Sequence, residues 1–392
     1  MSGPRIEIHL DRLHHNAANL VERLALQGIS ITGVSKAILG MVEIVDVWMA
    51  AGVGSIGEPR IETIEALARS GITPPTLLVR TPMLSQVERV VALASISCNS
   101  EPAVLLALAG EALRQDRRHG VLLMVELGDL REGILPGDLA AVVGLTMEMP
   151  SLKLVGIGAN LGCQLGMAPD PTNMAALSAL ATDLEARFDV GLKWVSGGNS
   201  ANLPWLAAGG DPGRINHLRL GEALLLGREP LGRTPIAGLH TDAFCLVAEL
   251  IEVKRKPTLV EGRLGLTSFV NLPAGHSHQR DLPGDRGPQQ RGLLALGIQD
   301  VDPAGLTPPA GVRIVGASSD HLVVEAERPL QVGEELRFDV DYSALLRAMT
   351  SPFVARHVLA RHVVARQVAA ASGSTGKPFS PRASRRASNS RG

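Results

Sequence analysis

The sequence predicts an α/β protein, a (β/α)8 TIM barrel followed by a C-terminal all-β domain. Eight short apolar runs alternate with amphipathic stretches over the first 230 residues, as strands and helices do in such a barrel. Polar residues or glycines follow the ends of these runs, where barrels of this class carry their active sites. Beyond residue 230, alternating apolar and polar residues separated by Pro and Gly turns indicate antiparallel strands.

Residues 5–10 alternate polar and apolar side chains, so they predict a half-buried strand, which we expect to join the second domain. Asp11 is a candidate N-cap of the first helix, whose apolar spacing begins at Leu13. The barrel strands are predicted at residues 31–36, 53–57, 76–80, 95–98, 120–127, 153–160, 192–197 and 215–220. The helices between them are predicted at residues 40–51, 60–70, 84–93, 101–115, 137–148, 172–188 and 200–208.

Three segments follow from these patterns. We expect the barrel to occupy residues 1–230, the β domain residues 231–352, and a helix followed by a basic tail residues 353–392. The tail is rich in Ser, Gly, Pro and Arg and has no acidic residue after position 372, which is typical of disorder. Strands of the second domain are predicted around residues 246–253, 292–296, 312–315 and 322–326.

Composition and charge argue against several classes of function. The 392-residue chain has a formal net charge of −1, which gives no electrostatic basis for binding nucleic acid. No apolar segment reaches the length of a membrane span and no apolar signal region opens the chain, so we expect no membrane association and a cytoplasmic location. Cys98, Cys163 and Cys245 are too far apart for a metal-ligand spacing, so no metal is predicted.

Lys36 is the first candidate for chemistry, because it follows the apolar run 31–34 at the C-terminal end of a predicted strand. Burial penalises an ammonium ion, so a lysine in that place tends to have a lowered pKa or a charged partner. A neutral amine is a nucleophile that forms a Schiff base with an aldehyde. Considered by itself, however, a strand-end lysine more often simply reaches solvent.

Two glycine-containing turns predict a phosphate site. Residues 196–200 read Ser-Gly-Gly-Asn-Ser between a predicted strand and helix, where glycines admit a close backbone approach and helix N–H groups face an anion. Arg219 lies on the last predicted barrel strand, and Gly221 and Glu222 follow it. The loops after strands 7 and 8 commonly hold phosphate in these barrels. Combined with a lysine after the first strand, they predict pyridoxal 5′-phosphate (PLP).

With these motifs in place, the chain resembles the fold-type III PLP enzymes of the alanine racemase superfamily, and within them the ornithine racemase-like amino-acid racemases. The resemblance spans roughly residues 5–353. The stretches that carry it are residues 6–11, 15–16, 34–36, 57–62, 126–133, 156–161, 196–200, 216–228, 316–321 and 339–352.

The resemblance implies how the cofactor is held. Lys36 matches the Schiff-base lysine, which also acts as a base on one face of Cα. The other cofactor-binding positions are Asn160 over the ring, Asn199 and Ser200 with Gly221 and Glu222 at the phosphate, Arg219 at the pyridine nitrogen, and Tyr342 reaching the phosphate. Because an arginine stays protonated, Arg219 keeps the ring nitrogen unprotonated. A ring in that state is a weaker electron sink and suits brief deprotonation and reprotonation better than transamination.

Racemisation also needs a proton donor on the second face of Cα. The resemblance places Arg131 near the substrate carboxylate and a tyrosine of the partner subunit on the second face, but Ile298 stands at that tyrosine position. His321 and Asp320 are the first candidate replacements, followed by Asp300, and His321 has a suitable pKa range. A packed, hydrogen-bonded histidine is the alternative interpretation of His321. A site shared in this way implies a head-to-tail homodimer.

The resemblance therefore implies a PLP-dependent amino-acid racemase with a small-molecule substrate, and its branch favours ornithine or another basic amino acid. A non-catalytic PLP-binding protein is an alternative, although such proteins resemble the barrel alone. A fold-type III decarboxylase is a second alternative, but the cysteine-containing motif of those enzymes is missing from the second domain. A metal-assisted D-amino-acid aldolase is a third, with His321 and Asp320 as its ligands.

Overall fold

The computed structural model of the chain describes residues 3–258 and 286–359. Strand β1 (Arg5–His9) and helix α1 (Leu10–Ala25) precede a closed barrel of eight parallel strands, which confirms the predicted TIM barrel. The barrel strands are β2 (Ser30–Val34), β3 (Ser55–Glu58), β4 (Thr76–Leu78), β5 (Ile96–Asn99), β6 (His119–Val125), β7 (Leu152–Ala159), β8 (Trp194–Ser196) and β9 (His217–Leu220). Parallel pairing of β2 with β9 closes the barrel.

Helices cover the outside of the barrel. They are α2 (Val42–Ala50), α3 (Ile61–Arg69), α4 (Val87–Leu93), α5 (Pro102–Arg114), α6 (Leu139–Met147), α7 (Pro171–Phe188), α8 (Asn202–Ala207) and α9 (Glu222–Leu226). The longest, α7, begins with a capping box in which Asp170 accepts from the Asn173 N–H at 2.8 Å, and the Asn173 side chain accepts from the Asp170 N–H. Short 3-10 turns cover Lys36–Ile38 and Leu84–Gln86.

The second domain is an antiparallel sheet with one helix. Its elements are β10 (Phe244–Lys256), β11 (Gln289–Leu294), β12 (Leu306–Thr307), β13 (Val312–Ala317), β14 (Leu322–Ala326), β15 (Glu335–Val340), α10 (Tyr342–Thr350) and β16 (Ala355–Leu359), with a 3-10 turn at Pro303–Gly305. The strands are ordered β12-β15-β10-β11-β14-β13, and β1 pairs with both β10 and β16. The N-terminal strand therefore lies in the sheet of the second domain.

Two local expectations are wrong, and one helix was not expected. Helix α1 begins at Leu10 with His9 at the cap, so Asp11 lies inside the first turn. Residues 355–359 form β16, where the sequence predicted the start of a helix, because one edge of β1 accepts them as a parallel strand. Helix α10 was not predicted, and its Asp341 cap accepts from the Ala344 N–H at 2.9 Å. The expected disordered tail lies outside the described residues.

One continuous apolar core joins the two parts of the chain. It contains Ile6 of β1 and Leu13 of α1, together with Ile56 of the barrel and Phe338 and Leu345 of the second domain. Burial of side chains of this size contributes about 1.5–3 kcal/mol each. The shared core holds α10 against the turn that carries Lys36. Among the described helices, none is long and apolar enough to cross a membrane.

Candidate active site

A cavity of about 880 Å3 lies at the C-terminal ends of the barrel strands, within the usual range for a small-molecule site. Residues at or after the ends of the barrel strands form most of its wall, and α10 of the second domain and the loop after α9 also contribute. Nine residues singled out from the sequence line it: Lys36, Arg131, Asn160, Asn199, Ser200, Arg219, Gly221, Glu222 and Tyr342.

Lys36 projects into this cavity from the end of β2. Its 3-10 turn ends at Ile38, and the next residue, Leu39, has a left-handed backbone with φ of 52°, so the chain turns sharply before α2. The Lys36 Nζ lies 5.6 Å from the centre of the Tyr342 ring. The strand is buried as expected, but the lysine side chain itself is exposed, and no ion pair joins it to another described residue. Its amine is therefore accessible to a molecule in the cavity.

Glu58 lies beside Lys36 at the end of β3 and is only 1% exposed. It accepts a hydrogen bond from the Ser35 hydroxyl. Burial raises the pKa of Glu58 to about 7, while the Ser35 hydrogen bond and the charge of Lys36 act in the opposite direction. A buried carboxyl group with a raised pKa thus lies next to Pro59 of the cavity wall in the chain.

Arg219 is buried in the barrel wall, at 5% exposure, and it also reaches the cavity. Its Nη1 donates to the Ser196 hydroxyl and its Nη2 donates to the Ala159 carbonyl at 2.7 Å. Burial lowers the pKa of Arg219, and no carboxylate of the described residues forms an ion pair with it. A guanidinium has five N–H groups, so donors remain for an acceptor in the cavity.

The two turns predicted to bind phosphate meet at this end of the barrel. Gly198 has φ of 137°, and a Cβ there would lie 2.6 Å from the Asn202 Oδ1, so this position requires glycine. The Ala223 N–H, at the start of α9, donates to the Ser200 hydroxyl at 3.2 Å. Asn199 donates to the Asn160 side chain at 3.2 Å. The strand register therefore assembles residues that are separated by more than 20 positions in sequence.

The loops after β6 and β7 form the rim of the cavity. Asp129 is buried and accepts from the N–H groups of Cys163 at 3.2 Å and Gln164 at 3.1 Å, which fixes one loop against the other. Arg131 forms an ion pair with Glu132 on the same rim, with one hydrogen bond of 2.6 Å, and both residues line the cavity. This arrangement places on the rim a guanidinium that is paired with a carboxylate of the same loop.

His321 and Asp320 do not reach the cavity of their own chain. They lie in the turn between β13 and β14, where the His321 Nδ1 and the Asp320 Oδ1 are 3.0 Å apart and both side chains are exposed. The hydrogen bond from His321 lowers the pKa of Asp320. The Ile298 N–H donates to the Ser318 carbonyl at 2.9 Å, so the loop of Ile298 lies alongside this turn.

Several residues of the cavity carried no signal in the sequence. Cys163 and Leu346 line it because two loops and α10 converge there, and neither belongs to a periodic pattern. Arg233 also lines it and forms an ion pair with Asp341 at 2.7 Å. Burial raises the pKa of the nearby Glu222 to about 7, against the lowering effect of Arg233. Only the polar strand ends could have been recognised from spacing alone.

Comparison with known proteins agrees with this geometry. Residues 8–229 match the family model for the alanine racemase N-terminal domain. A lysine racemase of Thermotoga maritima is 36% identical over 359 residues, which cover 91% of this chain and 98% of the relative. An ornithine racemase of Acetoanaerobium sticklandii is 34% identical over 361 residues, which cover 91% of this chain and 99% of the relative.

Solved structures share the fold at lower identity. The alanine racemase from Streptomyces coelicolor A3(2) aligns with a TM-score of 0.71 at 18% identity, covering 92% of this chain and 98% of that one. A D-threonine aldolase from Filomicrobium marinum aligns with a TM-score of 0.65 at 18% identity and covers 88% of each chain. The family match over more than half of the sequence, with two racemases related over nine-tenths of it, shows that this chain belongs to the alanine racemase family.

Proposed function

We propose that the protein is a PLP-dependent racemase of basic amino acids, with lysine and ornithine as the first substrates to test. The racemase activity follows from the family and from relatives of that activity along nearly the whole chain. The names of these two relatives supply the substrate class. One structural observation supports the site above all others: Lys36, Arg219 and the turn at residues 199–200 line a single cavity.

The residues present fit this cofactor. Arg219 is a buried cation whose unused donors need an acceptor in the cavity, and an unprotonated ring nitrogen is such an acceptor. The turns that carry Ser200 and Gly221 are joined by the hydrogen bond from the Ala223 N–H to the Ser200 hydroxyl, and they would hold the phosphate. Lys36 would hold the aldehyde carbon. When bound, PLP supplies an aldehyde that condenses with amines and a ring that withdraws electrons from Cα.

The chain supplies orientation and proton transfer. Lys36 removes or returns the proton on its own face of Cα, since its amine is exposed in the cavity. Arg131, at the rim, binds the substrate carboxylate and so fixes the direction of the Cα–H bond. Arg219 keeps the ring nitrogen unprotonated, because a guanidinium does not release its proton at physiological pH.

For the opposite face we propose His321 of the partner subunit as the proton donor. Ile298 has no proton to exchange, and its backbone is hydrogen-bonded to the turn that carries His321. The contact with Asp320 at 3.0 Å orients the imidazole through Nδ1, and no described residue forms a hydrogen bond with Nε2. Arg347 of α10 donates to the Ile298 carbonyl at 2.7 Å, which ties this loop to the helix that reaches the cavity.

A homodimer with head-to-tail sites would bring these parts together. Exposed apolar side chains lie within a few residues of the cavity wall along the chain, and a second copy of the chain would cover them. They are Leu130, Leu165, Met167, Leu231 and Leu346. We also propose a cytoplasmic location, because Cys98, Cys163 and Cys245 are all free thiols, as in a reducing compartment.

The test is exchange of the Cα proton in D2O with a panel of L- and D-amino acids. The PLP-loaded protein should racemise and deuterate lysine and ornithine, and Lys36→Ala should abolish both activities together with the visible absorption of the bound cofactor. Lys153→Ala is the matched control, since Lys153 is an exposed lysine at the opposite end of strand β7. Borohydride reduction followed by peptide mapping should place the cofactor mass on Lys36.

Other outcomes would identify the alternatives. PLP binding without exchange on any amino acid would favour a non-catalytic PLP-binding protein. Release of CO2 would indicate a decarboxylase, and activity that a chelator abolishes would indicate an aldolase.

A further inference from the structure

A line of buried polar side chains runs behind Arg219, across four neighbouring strands. Arg219 donates to the Ser196 hydroxyl, and the Ser196 Oγ is 2.9 Å from the His217 Nδ1. The His217 Nε2 is 2.7 Å from the Thr32 Oγ1, which is 2.6 Å from the Ser55 Oγ. The four residues behind Arg219, which are Ser196, His217, Thr32 and Ser55, are each at most 4% exposed. Polar groups buried in this way are costly unless each has a partner, so the line acts as one unit.

The chemistry of the groups sets the direction of these hydrogen bonds. Burial, and then the charge of Arg219, hold the pKa of His217 well below its ordinary value, so the imidazole is neutral. Arginine only donates, so Ser196 accepts from it. Neither a side chain nor a carbonyl group of the other described residues accepts from the Ser196 hydroxyl, so we assign its hydrogen to the contact with the His217 Nδ1. His217 then carries its proton on Nε2 and donates it to Thr32.

This arrangement orients Arg219 without neutralising it. The two groups that accept from the guanidinium, the Ser196 hydroxyl and the Ala159 carbonyl, are both uncharged. Its positive charge is therefore left for the ligand in the cavity. Trp194 stacks on the His217 imidazole at 4.0 Å between ring centres and 3° between planes, which prevents rotation of the ring. These contacts together fix the hydrogen-bonded side chains from Ser55 on β3 to Arg219 at the cavity.

We infer that His217, acting through Ser196, is a positioning residue for the racemisation, because it holds the Arg219 guanidinium toward the ring nitrogen of the cofactor. This inference rests on the proposed function. The Ser196–His217 pair determines the orientation of Arg219, and the orientation determines how well the ring accepts electrons from Cα. Loss of the pair should therefore slow the chemical step more than it weakens substrate binding.

The barrel offers a matched control at His119. This histidine is also buried at the first residue of a barrel strand, and its Nε2 is 2.8 Å from the Ser97 hydroxyl. Burial lowers the pKa of His119 to about 4. The Ser97 hydroxyl accepts from Asn99 rather than from a residue of the cavity. Substitution at this position removes the same kind of hydrogen bond without touching Arg219.

The experiment compares Ser196→Ala, His217→Phe, His217→Asn and His119→Phe in the PLP-loaded enzyme. Ser196→Ala and His217→Phe should each lower kcat at least about tenfold, with KM changed less than about threefold. Both should shift the visible absorption of the bound cofactor. His217→Asn keeps an acceptor near Ser196 and should recover part of the loss. His119→Phe should keep kcat within about twofold and leave the spectrum unchanged, even where its Tm falls as far as that of His217→Phe.

A double-mutant cycle gives the decisive readout. In an Arg219→Lys background, His217→Phe should add less than about twofold to the loss in kcat, since its effect passes through Arg219. The inference would be overturned if the losses in kcat from Arg219→Lys and His217→Phe multiplied in the double variant. It would also be overturned if His119→Phe and His217→Phe lowered kcat equally. If His217→Phe does not fold, Ser196→Ala and Ser196→Thr decide by the same criteria. A wild-type protein that fails to bind PLP would refute the proposed function itself, whereas an active wild type with an unchanged Ser196→Ala would refute only this inference.

Discussion

Glu58 shows how a single buried residue links the site to pH. Its carboxyl is held beside Lys36 with Ser35 as its hydrogen-bond donor, and burial raises its pKa from 4.5 to about 7. The folded protein therefore holds this proton more tightly than the unfolded chain does. The resulting penalty on stability is absent below pH 4.5, grows as the pH rises to about 7 and is constant above it.

We expect Glu58→Gln to remove this penalty. Between pH 4.5 and 7 the wild-type free energy of unfolding should fall relative to that of the variant by about 3 kcal/mol, since one pKa unit corresponds to about 1.4 kcal/mol. Urea unfolding of the cofactor-free proteins at pH 5 and pH 8 measures the difference.

Glu62 on α3 serves as a control of opposite sign. Its own backbone N–H, and then Arg89, hold the pKa of Glu62 below its ordinary value. Its contribution to stability is therefore present at neutral pH and is lost as the pH falls, so Glu62→Gln should differ most from wild type at high pH. Equal pH dependence of the wild type and Glu58→Gln would show that Glu58 ionises as freely in the folded state as in the unfolded one.

Among the elements, β7 and β8 approach each other unusually closely. A Cβ on Gly156 of β7 would lie 1.8 Å from the Trp194 carbonyl oxygen of β8, whereas a Cβ on Gly110 of α5 would meet nothing within 4 Å. Gly156 and Gly110 both lie inside regular elements, but only at Gly156 does a neighbouring strand leave no room for a Cβ.

We expect the two alanine substitutions to have opposite effects. Gly156→Ala should force the strands apart and destabilise the fold by about 3 kcal/mol or more, because backbone atoms cannot move aside cheaply. Gly110→Ala should stabilise it by about 1 kcal/mol, since alanine is the better helix former. Thermal unfolding of both variants tests the prediction. Comparable Tm values for Gly156→Ala and Gly110→Ala would contradict the close approach of β7 to β8 at Gly156.

The sequence predicts the elements whose patterns are local. All eight barrel strands were expected within a few residues of their observed bounds, because each combines a short apolar run with a polar end. The strand β16 was missed because its partner, β1, lies 350 residues away. The contacts from Arg219 to Ser55 depend on the register of four strands, so no spacing in the chain could have indicated them.

At the scale of the whole molecule, the single chain holds the two halves of the proposed site apart. Lys36 lies in the cavity, whereas His321 is exposed in the β13–β14 turn, beside the loop of Ile298 and outside the cavity. A closed twofold dimer brings such halves together twice, once at each barrel. The exposed apolar side chains close in sequence to the cavity wall, such as Leu130 and Leu165, would be buried at the same interface.

Complementation between inactive variants tests this arrangement. Lys36→Ala and His321→Ala should each be inactive as purified dimers, but mixing them with exchange of subunits should restore about a quarter of the wild-type activity. Half of the dimers in an equal, random mixture are mixed, and in each mixed dimer one of the two sites pairs an intact Lys36 with an intact His321. Two variants of the same position, Lys36→Ala and Lys36→Met, provide the control and should restore nothing. Sedimentation velocity confirms that the mixed species is a dimer, and a mixture that stays inactive although its subunits exchange would exclude His321 of the partner subunit as the second proton donor.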